Sequence, residues 1–268
     1  MWPGDDREEE YGMTAGTTST TAFVTLADLL EQLGGIAPAR VRFRPVPGAA
    51  TEEDMLAIHD REGRLYELAG GVLVEKAIGL RESYLAIVLS TILWNFVQLR
   101  NLGLVTGEAG MMRLMAGLVR IPDVAFISWT RLPHQCVPTE PVPDLAPDLA
   151  VEVLSAGNTS GEMARKRQEY FAAGVHLVWQ VDPNARTVEV FTAPEQSTVL
   201  HEAQTLTGGT VYRASRYRSR NSSASLTAEE SVDPNCRFKE LKGRLSSEKV
   251  EHTTDHLPSR ARSCRGRG

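Results

Sequence analysis

The chain has 268 residues, 42% of them hydrophobic, enough for one domain of ordinary size with extensions. Its formal charge of −5 is uneven: Thr210 to the end holds 13 Lys/Arg and 7 Asp/Glu, net +6, which leaves −11 for the body. An acidic body argues against a broad phosphate-binding surface, so any nucleic-acid contact has to be local or assisted by a cation. No apolar run reaches the roughly 18 residues that span a bilayer, and the first residues lack a basic-then-apolar leader pattern, so a cytoplasmic protein with no membrane partner is expected. Cys136, Cys236 and Cys264 are scattered and form no CxxC unit, which points to neither a zinc site nor a disulfide framework.

Residues 1–21 read as a disordered extension, acidic and then rich in Thr. Thr25 caps a short helix over 26–33 that Gly34-Gly35 ends, and Thr51 caps a second helix. Residues 64–69 and 72–76 form a hairpin across Gly70-Gly71. A helix over 82–102 is apolar around much of its girth, as expected of one packed on a sheet. Short strands follow at 103–108, 111–115 and 119–128, then a Pro-rich surface loop over 131–147. A strand over 148–155, a helix over 160–173 stopped by Gly174, and a hairpin of 175–182 with 187–191 complete a domain over 22–209. The order predicts an α/β fold with a mixed β-sheet flanked by helices.

Two acidic positions about thirty residues apart stand out. Asp123 follows Ile121-Pro122 at the start of an apolar strand, and Glu152 lies inside Asp148-Leu-Ala-Val-Glu-Val-Leu-Ser155. Alternation turns Leu149, Val151 and Val153 to one side and Ala150, Glu152 and Leu154 to the other. A carboxylate buried in a strand is costly unless something pairs with it. Two carboxylates on adjacent strands can share Mg²⁺ (or Mn²⁺), which lowers the pKa of a bound water and stabilises a pentacovalent phosphate. A lysine would be best placed at Leu154; Lys166, one turn before Tyr170 on the following helix, is the substitute. The competing reading is structural: Asp123 caps a strand end, Glu152 pairs with Arg120 or Lys166, Glu67 is a hairpin-edge residue, and Tyr170, Phe171 and Trp179 are core. His176 is expected to face solvent, and the spacing of His252 and His256 is read as chance.

Four segments in this order carry a resemblance: Tyr66-Glu-Leu-x-x-Gly-Val-Leu-Val-Glu75, Arg120-Ile-Pro-Asp-Val-Ala-Phe-Ile-Ser128, Pro147-Asp-Leu-Ala-Val-Glu-Val-Leu-Ser155 and Lys166-x-x-x-Tyr170-x-x-x-Gly-Val-x-x-x-Trp179-x-Val-Asp-Pro183. Over roughly residues 26–209 the chain resembles the Uma2 family of restriction-endonuclease-like proteins, within the PD-(D/E)xK nuclease superfamily. The resemblance implies a restriction-endonuclease-like core and a metal-dependent endonuclease that hydrolyses DNA phosphodiester bonds. By position it makes Asp123 and Glu152 metal ligands, Lys166 the catalytic lysine and Glu67 an auxiliary ligand. Many members carry a His after the first hairpin; here Arg81 or Glu82 would have to substitute. By analogy with nuclease folds that cut both strands, a homodimer is expected. The alternative is a catalytically inert nuclease-fold module that binds DNA or another partner.

After Gly209 the chain turns Arg- and Ser-rich, the composition of a disordered basic tail over 210–268. Members of the resembled family finish instead with an apolar, Pro- and Phe-containing segment. Back-translating from Thr210 and shifting by one base permits Asp-Gly-(Leu/Val)-Pro-Gly-Phe-x-(Leu/Val)-Pro, so a frameshift is the expected origin of the tail.

Overall fold

The structure is a computed structural model and describes residues 23–77, 79–202, 204 and 206. The N-terminal extension, the basic tail with its frameshift reading, Cys236, Cys264 and the histidine pair all lie outside them. The described helices are α1 (Leu26–Gln32), α2 (Glu52–Glu62), α3 (Leu80–Gln98) and α4 (Ser160–Ala172). Local chemistry sets their starts. Thr25 with Asp28, and Thr51 with Asp54, form reciprocal capping boxes on α1 and α2. The Thr159 hydroxyl caps α4 by accepting from the Glu162 N–H.

Ten strands are described: β1 (Tyr66–Ala69), β2 (Val72–Glu75), β3 (Gly103–Thr106), β4 (Met112–Met115), β5 (Leu118–Arg120), β6 (Val124–Ser128), β7 (Leu149–Val153), β8 (Leu177–Asp182), β9 (Thr187–Ala193) and β10 (Gln196–His201). They make two sheets. One has four strands in the order β2-β1-β5-β4, paired antiparallel throughout. The other has six, in the order β10-β9-β8-β7-β6-β3, with β7 and β8 parallel and the remaining neighbours antiparallel. The mixed α/β architecture with flanking helices is the expected one. Within it α4 is the crossover joining the parallel pair β7 and β8.

Two expectations are corrected. The stretch 119–128 is not one strand: β5 belongs to the four-stranded sheet and β6 to the six-stranded one, with Ile121-Pro122-Asp123 between them. Pro122 supplies no N–H and so cannot continue a ladder. The loop over 131–147 is more than surface, since Val142 and Leu145 are buried and Arg113 exchanges backbone hydrogen bonds with Pro143 and Leu145.

The six-stranded sheet is covered on both faces. Leu149, Val151 and Val153 of β7 join Val124, Phe126, Leu177, Trp179 and Val181 under Ala86, Leu93 and Val97 of α3. Ala150, Val178, Ala125 and Ile127 pack on the opposite face with Tyr170 of α4. The alternation expected for β7 holds, and Glu152 therefore belongs to the α4 face. A close approach ties α4 to α1: a Cβ on Gly161 would lie 2.6 Å from the Gly34 carbonyl oxygen, which also accepts from the Thr159 hydroxyl at 2.6 Å. Gly161→Ala is therefore expected to cost about 1–3 kcal/mol by overpacking against backbone that cannot yield. Gly107→Ala, in open space, is the matched control. Urea unfolding of both variants checks this, and equal midpoints would contradict it.

Candidate active site

The register of β6 against β7 builds the centre of the site. The ladder ends at the pair of Val124 with Val151; Asp123 immediately precedes Val124 and Glu152 immediately follows Val151, close enough for the Asp123 charge to act on Glu152. Between the α3-facing Val151 and Val153, Glu152 is turned to α4, where Lys166 and Tyr170 meet it. Asp123 is locked at the strand edge: its N–H donates to the Val151 carbonyl at 3.0 Å, and its Oδ2 accepts from the Val153 N–H at 2.6 Å. Its Oδ1 meets the Lys76 ammonium at 2.9 Å, and Lys76 also donates to the Ile121 carbonyl at 2.6 Å.

Helix α4 supplies the other wall through one of its faces. Glu162, Met163, Lys166 and Tyr170 are its buried residues, at the three- and four-residue spacing of one stripe. Glu162 is fixed by both guanidinium nitrogens of Arg40 at 2.8 Å each. Lys166 reaches Glu152 Oε2 at 3.2 Å and Glu67 Oε1 at 3.0 Å, and the Tyr170 hydroxyl donates to Glu152 Oε1 at 2.6 Å. Glu67, on an interior strand of the four-stranded sheet, is only 1% exposed, not the hairpin-edge residue of the competing structural reading. Its Oε2 accepts from Arg120 at 2.8 Å, and its Oε1 accepts from the Ile121 N–H at 3.1 Å. The far side of Arg120 is held by Glu169 of α4.

The structure therefore brings together Glu67, Asp123, Glu152 and Lys166, the four residues singled out from the sequence. Both oxygens of Glu67 are taken by protein donors, so a direct bond from Glu67 to a cation would require Arg120, Lys166 or the Ile121 N–H to withdraw. Arg81 lies elsewhere. It donates to Asn184 Oδ1 at 2.7 Å and to the Pro183 carbonyl at the β8–β9 turn, so it does not stand in for the missing His. Three participants are not legible as such in the sequence. Arg120, a candidate partner for Glu152, instead holds Glu67. The Tyr170 ring is core as expected, but a buried phenol needs a hydrogen-bond partner and Glu152 is that partner. Lys76 follows the apolar strand β2, and a cation at that position is its only signal.

Electrostatics separates two carboxylates that share one ammonium. Burial alone would raise both. At Glu67 the charges of Lys166, Arg120 and Lys76, with the Ile121 N–H, overcome burial and bring the carboxyl down to about 2. At Glu152 burial prevails and the charges of Asp123 and Glu67 add to it against Lys166, so this carboxyl is raised. Lys166 is raised despite its burial, because Glu152 and Glu67 face it. Burial and Glu152 raise the Tyr170 hydroxyl. Glu152 is thus the position where negative charge is least compensated.

An oxygen-only pair of carboxylates suits Mg²⁺ or Mn²⁺, which is commonly held by one or two carboxylates while water and phosphate fill the remaining positions. Asp123 and Glu152 supply oxygen donors of that type, each oxygen accepting here from a protein donor. Among the described residues no three His, Cys, Asp or Glu side chains are grouped so as to hold a metal ion.

A mixed α/β domain with a buried acid–lysine cluster at the join of two sheets is the class that fold and site define. The chain belongs to the Uma2 family, described as "Putative restriction endonuclease", whose model matches residues 52–216. Among solved structures the chain is similar to that of "a putative nuclease belonging to DUF820" from Anabaena variabilis, with 18% identity, a TM-score of 0.47, and coverage of 53% of this chain and 80% of that one. No curated protein matches the chain in sequence. No helix among the described residues is long and apolar enough to cross a membrane.

Removing one member of the buried cluster exposes its cost. Arg120→Met leaves Glu67 without its guanidinium partner and is expected to destabilise by about 3–5 kcal/mol. The Glu67 carboxyl is lower in the folded chain than its ordinary value of 4.5, so its stabilisation is present above pH 4.5 and is lost as pH falls towards about 2. The stability gap between wild type and Glu67→Gln is therefore expected to be widest near neutrality and to close between pH 4.5 and 2. Urea unfolding across that range measures it, and a gap independent of pH would contradict the assignment.

Proposed function

We propose that this protein is a metal-dependent endonuclease that hydrolyses phosphodiester bonds of DNA, with Asp123 and Glu152 as the ligands of Mg²⁺ or Mn²⁺. The observation that carries the reading is the buried cluster in which Asp123 and Glu152 lie within charge range of one another and the Lys166 ammonium meets Glu152. When bound, such an ion would acidify a coordinated water and neutralise charge on the phosphate. Lys166 is the group to orient the attacking water, or to donate to a non-bridging phosphate oxygen as charge builds there. Glu67 is then an anchor: with Arg120 behind it, it fixes the ammonium beside Glu152. Tyr170 orients the Glu152 carboxylate from the other oxygen, and Lys76 with the Val153 N–H does the same for Asp123. These are the supports that hold a reacting constellation to a fraction of an ångström.

One observation favours a second reading, an inert nuclease-fold module that binds DNA or another partner. Every oxygen of Glu67, Asp123 and Glu152 already accepts from a protein donor. In that reading the cluster is a neutralised structural core. Incubation of the purified chain with supercoiled plasmid and Mg²⁺ or Mn²⁺ separates the two. Wild type is expected to nick or linearise the plasmid, and Asp123→Ala and Glu152→Ala to lose roughly 10²-fold or more in rate, the equivalent of several kcal/mol of transition-state stabilisation. Lys166→Met is expected to lose activity while the metal still binds. DNA retention without cleavage by wild type would sink the enzyme and support the module.

A further inference from the structure

Helix α3 is apolar around much of its circumference, the pattern of a helix packed on a sheet. The sheet covers only one of its faces. Ala86, Leu93 and Val97 are buried there, with Leu85, Leu89 and Phe96 partly covered beside them. On the other face Leu80, Tyr84, Ile87, Val88, Ile92 and Leu99 are exposed, Leu80 and Leu99 at 91% and 84%. Thr91 and Asn95 complete the stripe, and no charged side chain interrupts it. The spacing is the three- and four-residue step of a helix-packing seam. A helix that is apolar all round is one buried on all sides. A contiguous apolar patch of this extent is rare on a lone soluble domain.

We propose that this face of α3 is the interface of a homodimer, with a second copy of α3 packed antiparallel across a two-fold axis. The sequence of the stripe is self-complementary about the helix midpoint. An axis between residues 89 and 90 sets Leu80 against Leu99 of the second copy, Tyr84 against Asn95, Ile87 against Ile92 and Val88 against Thr91. Each apolar residue meets a carbon surface, and the one phenol meets an amide. The six exposed apolar side chains present on the order of 800 Å², about what each partner contributes to a stable interface. A stripe without charge offers nothing to a phosphate backbone and nothing specific to the net-positive segment beyond residue 209, whereas it matches itself. An isologous contact of this kind closes as a dimer and does not propagate. Because α3 and the acid cluster lie on opposite faces of the six-stranded sheet, the two clusters would open away from the dyad. The interface stands independently of the nuclease reading.

Analytical ultracentrifugation of the full chain tests it, with circular dichroism to confirm the fold. Wild type is expected to sediment as a dimer at micromolar concentration. The Ile87→Glu/Ile92→Glu variant, which sets like charges across the pair, is expected to be a monomer with unchanged helix content. The Ile87→Glu/Ile92→Lys variant sets opposite charges across the same contacts and is expected to dimerise again. A monomeric wild type, a dimer that survives the double glutamate variant, or no dimer in the charge-paired variant would overturn the proposal. A monomeric wild type that binds phosphatidylcholine vesicles through this face would overturn it in favour of a lipid surface.

Discussion

One buried ammonium organises the centre of this domain. Lys166 stands between Glu67, from the four-stranded sheet, and Glu152, from the six-stranded one. Neither carboxylate would be tolerated at that depth without it, and the lysine would not be tolerated without them. The two sheets are joined along the chain by Ile121-Pro122-Asp123 and across space by this contact. Buried ion pairs are seldom retained for stability, since a hydrophobic replacement of similar volume often does as well. The network here spends its burial on geometry: Arg120, the Ile121 N–H and Glu169 fix Glu67, which fixes the lysine beside Glu152.

The asymmetry between the two carboxylates follows from that arrangement. Glu67 has a guanidinium, an ammonium and a backbone donor. Glu152 has the same ammonium, the Tyr170 phenol and the nearby charge of Asp123. One acid is over-compensated and the other under-compensated, although both touch Lys166. Groups whose surroundings push them in opposite directions are a mark of sites adapted to chemistry rather than to packing alone. The proposed division, Glu67 as support and Glu152 as metal ligand, rests on this asymmetry together with the contacts of Lys166.

The β-ladder and the helix stripe were legible in the sequence because they rest on periodicity. The alternation of Leu149, Val151 and Val153 against Glu152, and the four-residue step from Lys166 to Tyr170, determine which side chains meet once β7 and α4 pack. The caps at Thr25 and Thr51 and the turn at Gly70-Gly71 are local chemistry and equally legible. The split of 119–128 is masked because the apolar run continues on both sides of Pro122. Lys76 and Arg120 owe their roles to the apposition of two sheets, which no local pattern encodes. The half-covered state of α3 was hidden for a related reason: a sequence shows that a helix is apolar, not how many neighbours come to cover it.

The central claim is that Asp123 and Glu152 form one divalent-cation site. Crystals of the full chain grown with Mn²⁺ and measured at a wavelength where manganese scatters anomalously address it directly. The account predicts a single strong anomalous peak bonded to oxygens of both carboxylates, with Lys76 drawn away from Asp123. Anomalous density elsewhere, or the Lys76–Asp123 and Lys166–Glu152 pairs unchanged and no peak between them at millimolar Mn²⁺, would contradict it.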